Sequence, residues 1–219
     1  MRLFTAVYPS ARALAHLDLA LGGVGLHAVA DPGSGLRWLP REQRHVTLVF
    51  HGEVPDGAVP AYVDALHAVL AGIGPFELDL AGSGTFGGRT LWVGLGGDVA
   101  VLRDLSGHVA DAAGTAGLPA GDRAGGRPHL TVARASAARV GADRTRRRAT
   151  RRAGAGPGEG GQGAPFTQWS RALTVYRGPA WAVTEVAVVS SALGAGRSGG
   201  PLHTLEAVVP LGGAAAARQ

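Results

Sequence analysis

The 219-residue chain contains no cysteine and no lysine. The first absence excludes disulfides, thiolate metal sites and a cysteine nucleophile. The second means that all 21 basic residues are arginine. Beside abundant Ala and Gly this points to GC-rich coding, so no single arginine carries much weight. Long apolar runs are missing as well, with nothing near the ~20 residues that span a bilayer. The opening "MRLFTAVYPS" has one Arg and then strand-like alternation, without the apolar segment and small-residue cleavage site of a secretory signal. A cytoplasmic protein is the expectation.

Charge of one sign is also scarce, except in one place. The formal net charge is +5, yet Arg139, Arg144, Arg146, Arg147, Arg148, Arg151 and Arg152 face only Asp143 within one short stretch. That stretch carries +6 and the rest of the chain −1. The protein is a near-neutral body with a single basic segment. With 46% hydrophobic residues, it has the material for one large domain or two small lobes and is not a disordered chain.

Alternation and helical spacing organise what is present. "MRLFTAVYPS" reads as a strand, with Ser10 as N-cap of a helix to about Leu21. Gly22-Gly23 and Gly25 end that helix, and a loop with Asp31-Pro32-Gly33 leads to a short strand near Leu36–Leu39. A strand over His45–Phe50 sets Val46, Leu48 and Phe50 against Thr47 and Val49. Asp56 or Pro60 opens a helix to about Leu70 with Val59, Val63, Leu66 and Leu70 on one face. "FELDLAG" and "RTLWVGL" read as an antiparallel pair around the glycines between them, and Val99 to about Ala113 as another amphipathic helix. Three further strands are expected at Ala172–Tyr176, Ala182–Ser190 and Leu202–Pro210. The Gly/Pro-rich "AGAGPGEGGQGAP" and the basic run form an insertion at about 139–165, read as a loop. The tail 213–219 reads as disordered, leaving residues 1–212 as one bilobal α+β domain.

Two strands begin alike: "HVTL" at His45 and "HLTV" at His129. Their separation of 84 residues rules out a local ligand motif, so only the fold can bring them together. In a strand, residues two apart share a face, which pairs His45 with Thr47 and His129 with Thr131. Each pair offers an imidazole that exchanges a proton near neutral pH and a hydroxyl that donates to an anion. Facing each other, the two pairs would grip one phosphoryl group. One imidazole would take a proton from water while the other protonates the departing oxygen. That chemistry calls for no metal. Zinc sites normally take three or four protein ligands, and His51, His67 and His108 lack such spacing; His67 and His108 are expected on helix surfaces. Trp38, Phe86 and Trp92 are expected to be partly core, with an aromatic near the cleft able to stack a base.

The two motifs resemble those of the two-histidine phosphoesterases. "RW…HVTLVFHGEV", "GSGTFGGRTLWVGL", "RPHLTVAR" and "VTEVAVVSSALG" are similar to the branch of RNA 2′,3′-cyclic phosphodiesterases, historically called 2′–5′ RNA ligases. The resemblance covers nearly the whole chain apart from the insertion and tail. It implies a bilobal α+β fold, two antiparallel-sheet lobes with outer helices around a central cleft, and a monomer. It implies metal-independent, cofactor-free hydrolysis of RNA or nucleoside 2′,3′-cyclic phosphates to 2′-phosphates. His45 would be the proton donor, His129 the proton acceptor, and Thr47 and Thr131 the phosphate-binding hydroxyls. Arg134 joins them only if a bulge turns it to the His129 face. Two features depart from the family pattern: His51, where Leu is usual, and His203, where an aromatic, usually Tyr, is common. Joining of RNA halves, and a binding module that no longer turns over, stand as alternatives. The segment Arg144–Arg152 is either a plain surface loop or an arm for RNA ends.

Overall fold

Alternating apolar residues dominate the chain, and in the computed structural model they build one ten-stranded, entirely antiparallel sheet. The structure describes residues 1–23, 35–119, 122–123, 127–136, 141, 145, 166–196 and 200–213. The expected loop around Asp31-Pro32-Gly33, nearly all of the 139–165 insertion and residues 214–219 of the tail lie outside the described residues.

In chain order the elements are β1 (Arg2–Val7), α1 (Ala11–Gly23), β2 (Leu36–Trp38), β3 (Val46–Glu53), α2 (Val59–Leu70), β4 (Phe76–Phe86), β5 (Thr90–Gly97), α3 (Val99–Thr115), β6 (Asp122–Arg123), β7 (His129–Ala135), α4 (Thr167–Ala172), β8 (Trp181–Val183), β9 (Glu185–Ala192) and β10 (Leu202–Pro210). The expected cap is present: the Ala13 N–H donates to Ser10 Oγ at 3.2 Å. Gly87 and Gly88, both at positive φ (55° and 68°), are the central residues of the Phe86–Arg89 turn in the three-residue connection between β4 and β5, a backbone shape that glycine adopts without penalty.

The sheet runs β10-β9-β1-β3-β7-β5-β4-β8, with β2 added to β7 and β6 to β3. It falls into two lobes. β10, β9, β1 and β3 form one; β7, β5, β4 and β8 form the other. Between them β3 and β7 pair only at Val46 and Leu130 among the described residues. The bilobal α+β expectation therefore holds. Most of the buried side chains lie in one continuous core, where Leu17 and Leu21 of α1, Tyr62, Leu66 and Leu70 of α2, and Leu102, Leu105 and Val109 of α3 cover the outer side of the sheet. That leaves the inner side for the cleft.

Two expected strands are corrected. Ala172–Tyr176 is not a strand: Thr167–Ala172 is a helical turn, and Val175 is exposed. Phe166 and Trp169, three residues apart, bury together against Leu91 and Ala133, which only a helical spacing allows. The run read as one strand at Ala182–Ser190 is divided at Thr184. Before the break β8 pairs with β4 in one lobe; after it β9 pairs with β1 in the other. Among the described residues no helix is long and apolar enough to cross a membrane.

Candidate active site

His45 stands immediately before β3 and His129 opens β7. Continuing the register of Val46 opposite Leu130 sets His45 across from Thr131 and Thr47 across from His129. All four side chains line one cleft of about 250 Å³.

Bulges decide what else enters it. In β3, Thr5 pairs with Val49 but Ala6 with Thr47, so Leu48 is the extra residue. In β7, Leu91 pairs with Ala133 but Trp92 with Thr131, so Val132 is extra. A bulge shifts the inward–outward alternation by one residue. The fifth residue after each histidine, Phe50 and Arg134, therefore turns to the cleft and lines it. The condition set for Arg134 is met in position, and the expected alternation of Phe50 with Val46 and Leu48 is corrected: Val49 is buried instead. A second bulge in β3 leaves His51 without a partner on β1 and turns it inward.

Among the described residues the cleft holds three arginines, Arg2, Arg37 and Arg134, three histidines, His45, His129 and His203, and no carboxylate. Arg37 is brought beside Arg134 by the pairing of β2 with β7. A cavity lined in this way carries a positive potential that favours an anion. No group of three or more His, Asp or Glu able to hold a metal is found among the described residues.

The two principal histidines are held by different means. The His129 Nδ1–H donates to the Arg127 carbonyl at 3.0 Å. A carbonyl only accepts, so the neutral ring keeps its lone pair on Nε2. Phe86 and Trp92 pack on this ring at 4.8 and 6.2 Å between centroids. Trp92 lies over Gly84, where a Cβ would come within 2.3 Å of the indole. Of the three aromatics read as partly core, Trp92 is buried, Trp38 half-buried, and Phe86 is 45% exposed. His45 stacks on Phe4, with centroids 4.7 Å apart and planes at 24°. Its buried Nδ1 has no partner of hydrogen-bond geometry among the described residues, although the Gln43 backbone lies near enough to favour a proton there. Arg44, 5% exposed, anchors the segment before His45. It donates to the Leu39 carbonyl at 2.8 Å and to Asp18 at 2.5 Å. Burial works against the Asp18 charge, but Arg44 and Arg41 outweigh it and hold its carboxyl below the usual range.

Burial also sets the proton balance. His45 is pushed down to about 4, first by desolvation and then by the like charges of His203, Arg134 and His129. His129 is lowered by burial and by Arg134, with the Arg127 carbonyl opposing. Without an anion, then, both imidazoles are neutral near pH 7.

The remaining histidines divide clearly. His67 and His108 are exposed on α2 and α3, as expected. His51 is 3% exposed. Its Nε2 lies 3.2 Å from Thr5 Oγ1, which lies 2.7 Å from Tyr62 Oη, and desolvation lowers it to about 4. It is a core residue. Phe4, Phe50, Arg2 and Arg37 were not singled out from the sequence; only their strand partners reveal them.

Three comparisons bear on this geometry. The model of the 2′-5′ RNA ligase superfamily matches residues 26–155. A Geobacillus stearothermophilus protein named RNA 2′,3′-cyclic phosphodiesterase is 41% identical over 101 residues, 44% of this chain and 32% of that protein. The matched part spans about a third of that relative's length. Among solved structures, TT0787 of Thermus thermophilus superposes with TM-score 0.60 at 22% identity, covering 96% of this chain and 98% of its own. LigT of E. coli in apo form gives TM-score 0.60 at 20% identity, covering 96% and 97%. These two share the fold, a curled antiparallel sheet with helices outside.

Proposed function

The chain belongs to the 2′-5′ RNA ligase superfamily, and from that membership and its cleft we propose that it hydrolyses the 2′,3′-cyclic phosphate ends of RNA or nucleosides to 2′-phosphates. The observation that carries this reading is the cavity in which His45, Thr47, His129, Thr131 and Arg134 converge with no carboxylate among them. It accepts an anion and offers two imidazoles.

In the proposed reaction a water oxygen attacks phosphorus while the His129 Nε2 takes the water proton. The bond from phosphorus to the 3′ oxygen breaks, and His45 delivers its proton to that oxygen. The product keeps its phosphate on the 2′ oxygen, and the next cycle begins when the His129 proton returns to solvent and His45 is reloaded. Thr47, Thr131 and Arg134 donate to the non-bridging oxygens as charge builds on them. The acid role needs a protonated His45, which burial and the neighbouring positive charges disfavour. A bound phosphate reverses the balance, because an opposite charge within a few ångströms favours the protonated ring.

Incubating the protein with a 2′,3′-cyclic nucleotide in EDTA and following phosphorus NMR tests the reading. A 2′-monophosphate is expected. A 3′-monophosphate would contradict the assigned donor, and binding without turnover would make the cleft a recognition module.

The seven arginines from Arg139 to Arg152 extend the proposal to RNA ends as partners, through salt-dependent contact with phosphates. Removing residues 144–163 is expected to slow oligonucleotide turnover and spare the mononucleotide. Equal effects on both would contradict the arm.

A further inference from the structure

One side chain of the cleft has no part in the reaction just described. His203, on β10, lines the same cavity as His45 and His129. Its ring stands edge-on to His45, with centroids 5.4 Å apart and planes at 63°. Phe4 joins the two, stacked on His45 and edge-on to His203 at 5.1 Å. The Nδ1 of His203 is buried without a hydrogen-bond partner among the described residues.

We propose that His203 is a positioning residue for His45: held edge-on to it across a shared Phe4, it makes the two imidazoles compete for one proton, so that the incoming phosphate loads the proton His45 delivers. The inference rests on the assignment of His45 as proton donor.

The groups around the pair leave little else to set that competition. Arg134 and His129 approach from β7, Arg37 from β2 and Arg2 from β1, all basic; Tyr8, just after β1, faces His45 with ring centroids 5.7 Å apart, and burial raises its titration so that its hydroxyl stays neutral. The acid on β10 itself, Glu206, accepts a hydrogen bond from Ser190 Oγ at 2.5 Å and does not line the cavity. Two like charges 5.4 Å apart repel enough to move a titration by about 0.5 pH unit in water and about 2 in a protein-like dielectric. Burial lowers His203 and the charge of Arg134 adds to it. The charge on His203 in turn counts against His45. An anion seated at the hydroxyls of Thr47 and Thr131 draws the proton toward His45. The ring of His203 then stays neutral and keeps His45 packed against Phe4.

Replacing His203 by Tyr or Phe removes the competing charge and keeps an aromatic ring against Phe4. Using both guards against a fault peculiar to one side chain. The His45 titration, followed by proton NMR without ligand, is expected to move up by about 0.5 to 2 pH units in both variants. The basic limb of kcat for a 2′,3′-cyclic nucleotide is expected to move the same way. A His45 titration within about 0.2 unit of the parent in both variants would overturn the coupling. The NMR arm needs no turnover. A shifted titration in a protein with no activity would therefore uphold the coupling while the proposed hydrolysis fails.

Discussion

Val46 and Leu130 are the one residue pair that joins β3 to β7 among the described residues. The sheet is continuous there and open on either side, and the flanking residues are the ones that reach the cleft. Because the strands are antiparallel, each histidine lies across from the other strand's threonine. In the proposed reaction a phosphoryl group between the lobes would meet an imidazole and a hydroxyl from each.

Anion binding should draw in a proton. With His45 at about 4 and His129 also lowered, both rings are neutral in the free protein near pH 7. A bound anion raises the His45 titration, so affinity increases as pH falls. Sulfate is the suitable probe, since its own charge is constant from about pH 5 to about pH 8. Calorimetry across that range is expected to show tighter binding toward acid, by at most about tenfold per pH unit for each proton taken up. Affinity independent of pH would mean that neither imidazole senses the anion.

Stability should depend on pH through a residue outside the cleft. The buried His51 titrates at about 4 against the ordinary 6.5. Its folded-state value is depressed, so between those two values the unfolded chain binds more protons. The neutral ring contributes its full stability above about 6.5, and that contribution is lost as pH falls toward about 4. The loss amounts to about 3 kcal/mol for a shift of this size. His51→Leu is expected to resist acid better than the parent by that order, whatever the two stabilities are at pH 7. Denaturant midpoints measured at several pH values decide the matter, and parallel curves for the two proteins would contradict it.

The two His-x-Thr motifs were legible because strand alternation is regular over three residues, enough to set His45 with Thr47 and His129 with Thr131. The next residues were not, because the bulges at Leu48 and Val132 are properties of pairing. An extra residue exists only relative to a partner strand. For that reason Phe50 read as core, and Arg134 could be tied to the cleft only conditionally. Arg37 could not be placed at all, since its position depends on β2 joining β7. The helices α2 and α3 were readable from their apolar spacing. The turn at Thr167–Ala172 was not, because the alternation of Leu173 and Val175 mimics a strand, and the burial of Phe166 with Trp169 depends on Leu91 and Ala133 from distant strands. His203 stood out only as a departure from the family pattern; its edge-on contact with His45 required the fold.

In the proposed reaction His45 and His129 act on one phosphate from opposite lobes. Turnover of a 2′,3′-cyclic nucleotide in EDTA by the parent, His45→Ala and His129→Ala tests it most directly. Each substitution is expected to lower kcat by roughly 10²-fold or more, with sulfate still bound, as Thr47, Thr131 and Arg134 remain. Turnover that survives both substitutions would place the chemistry elsewhere and contradict the account.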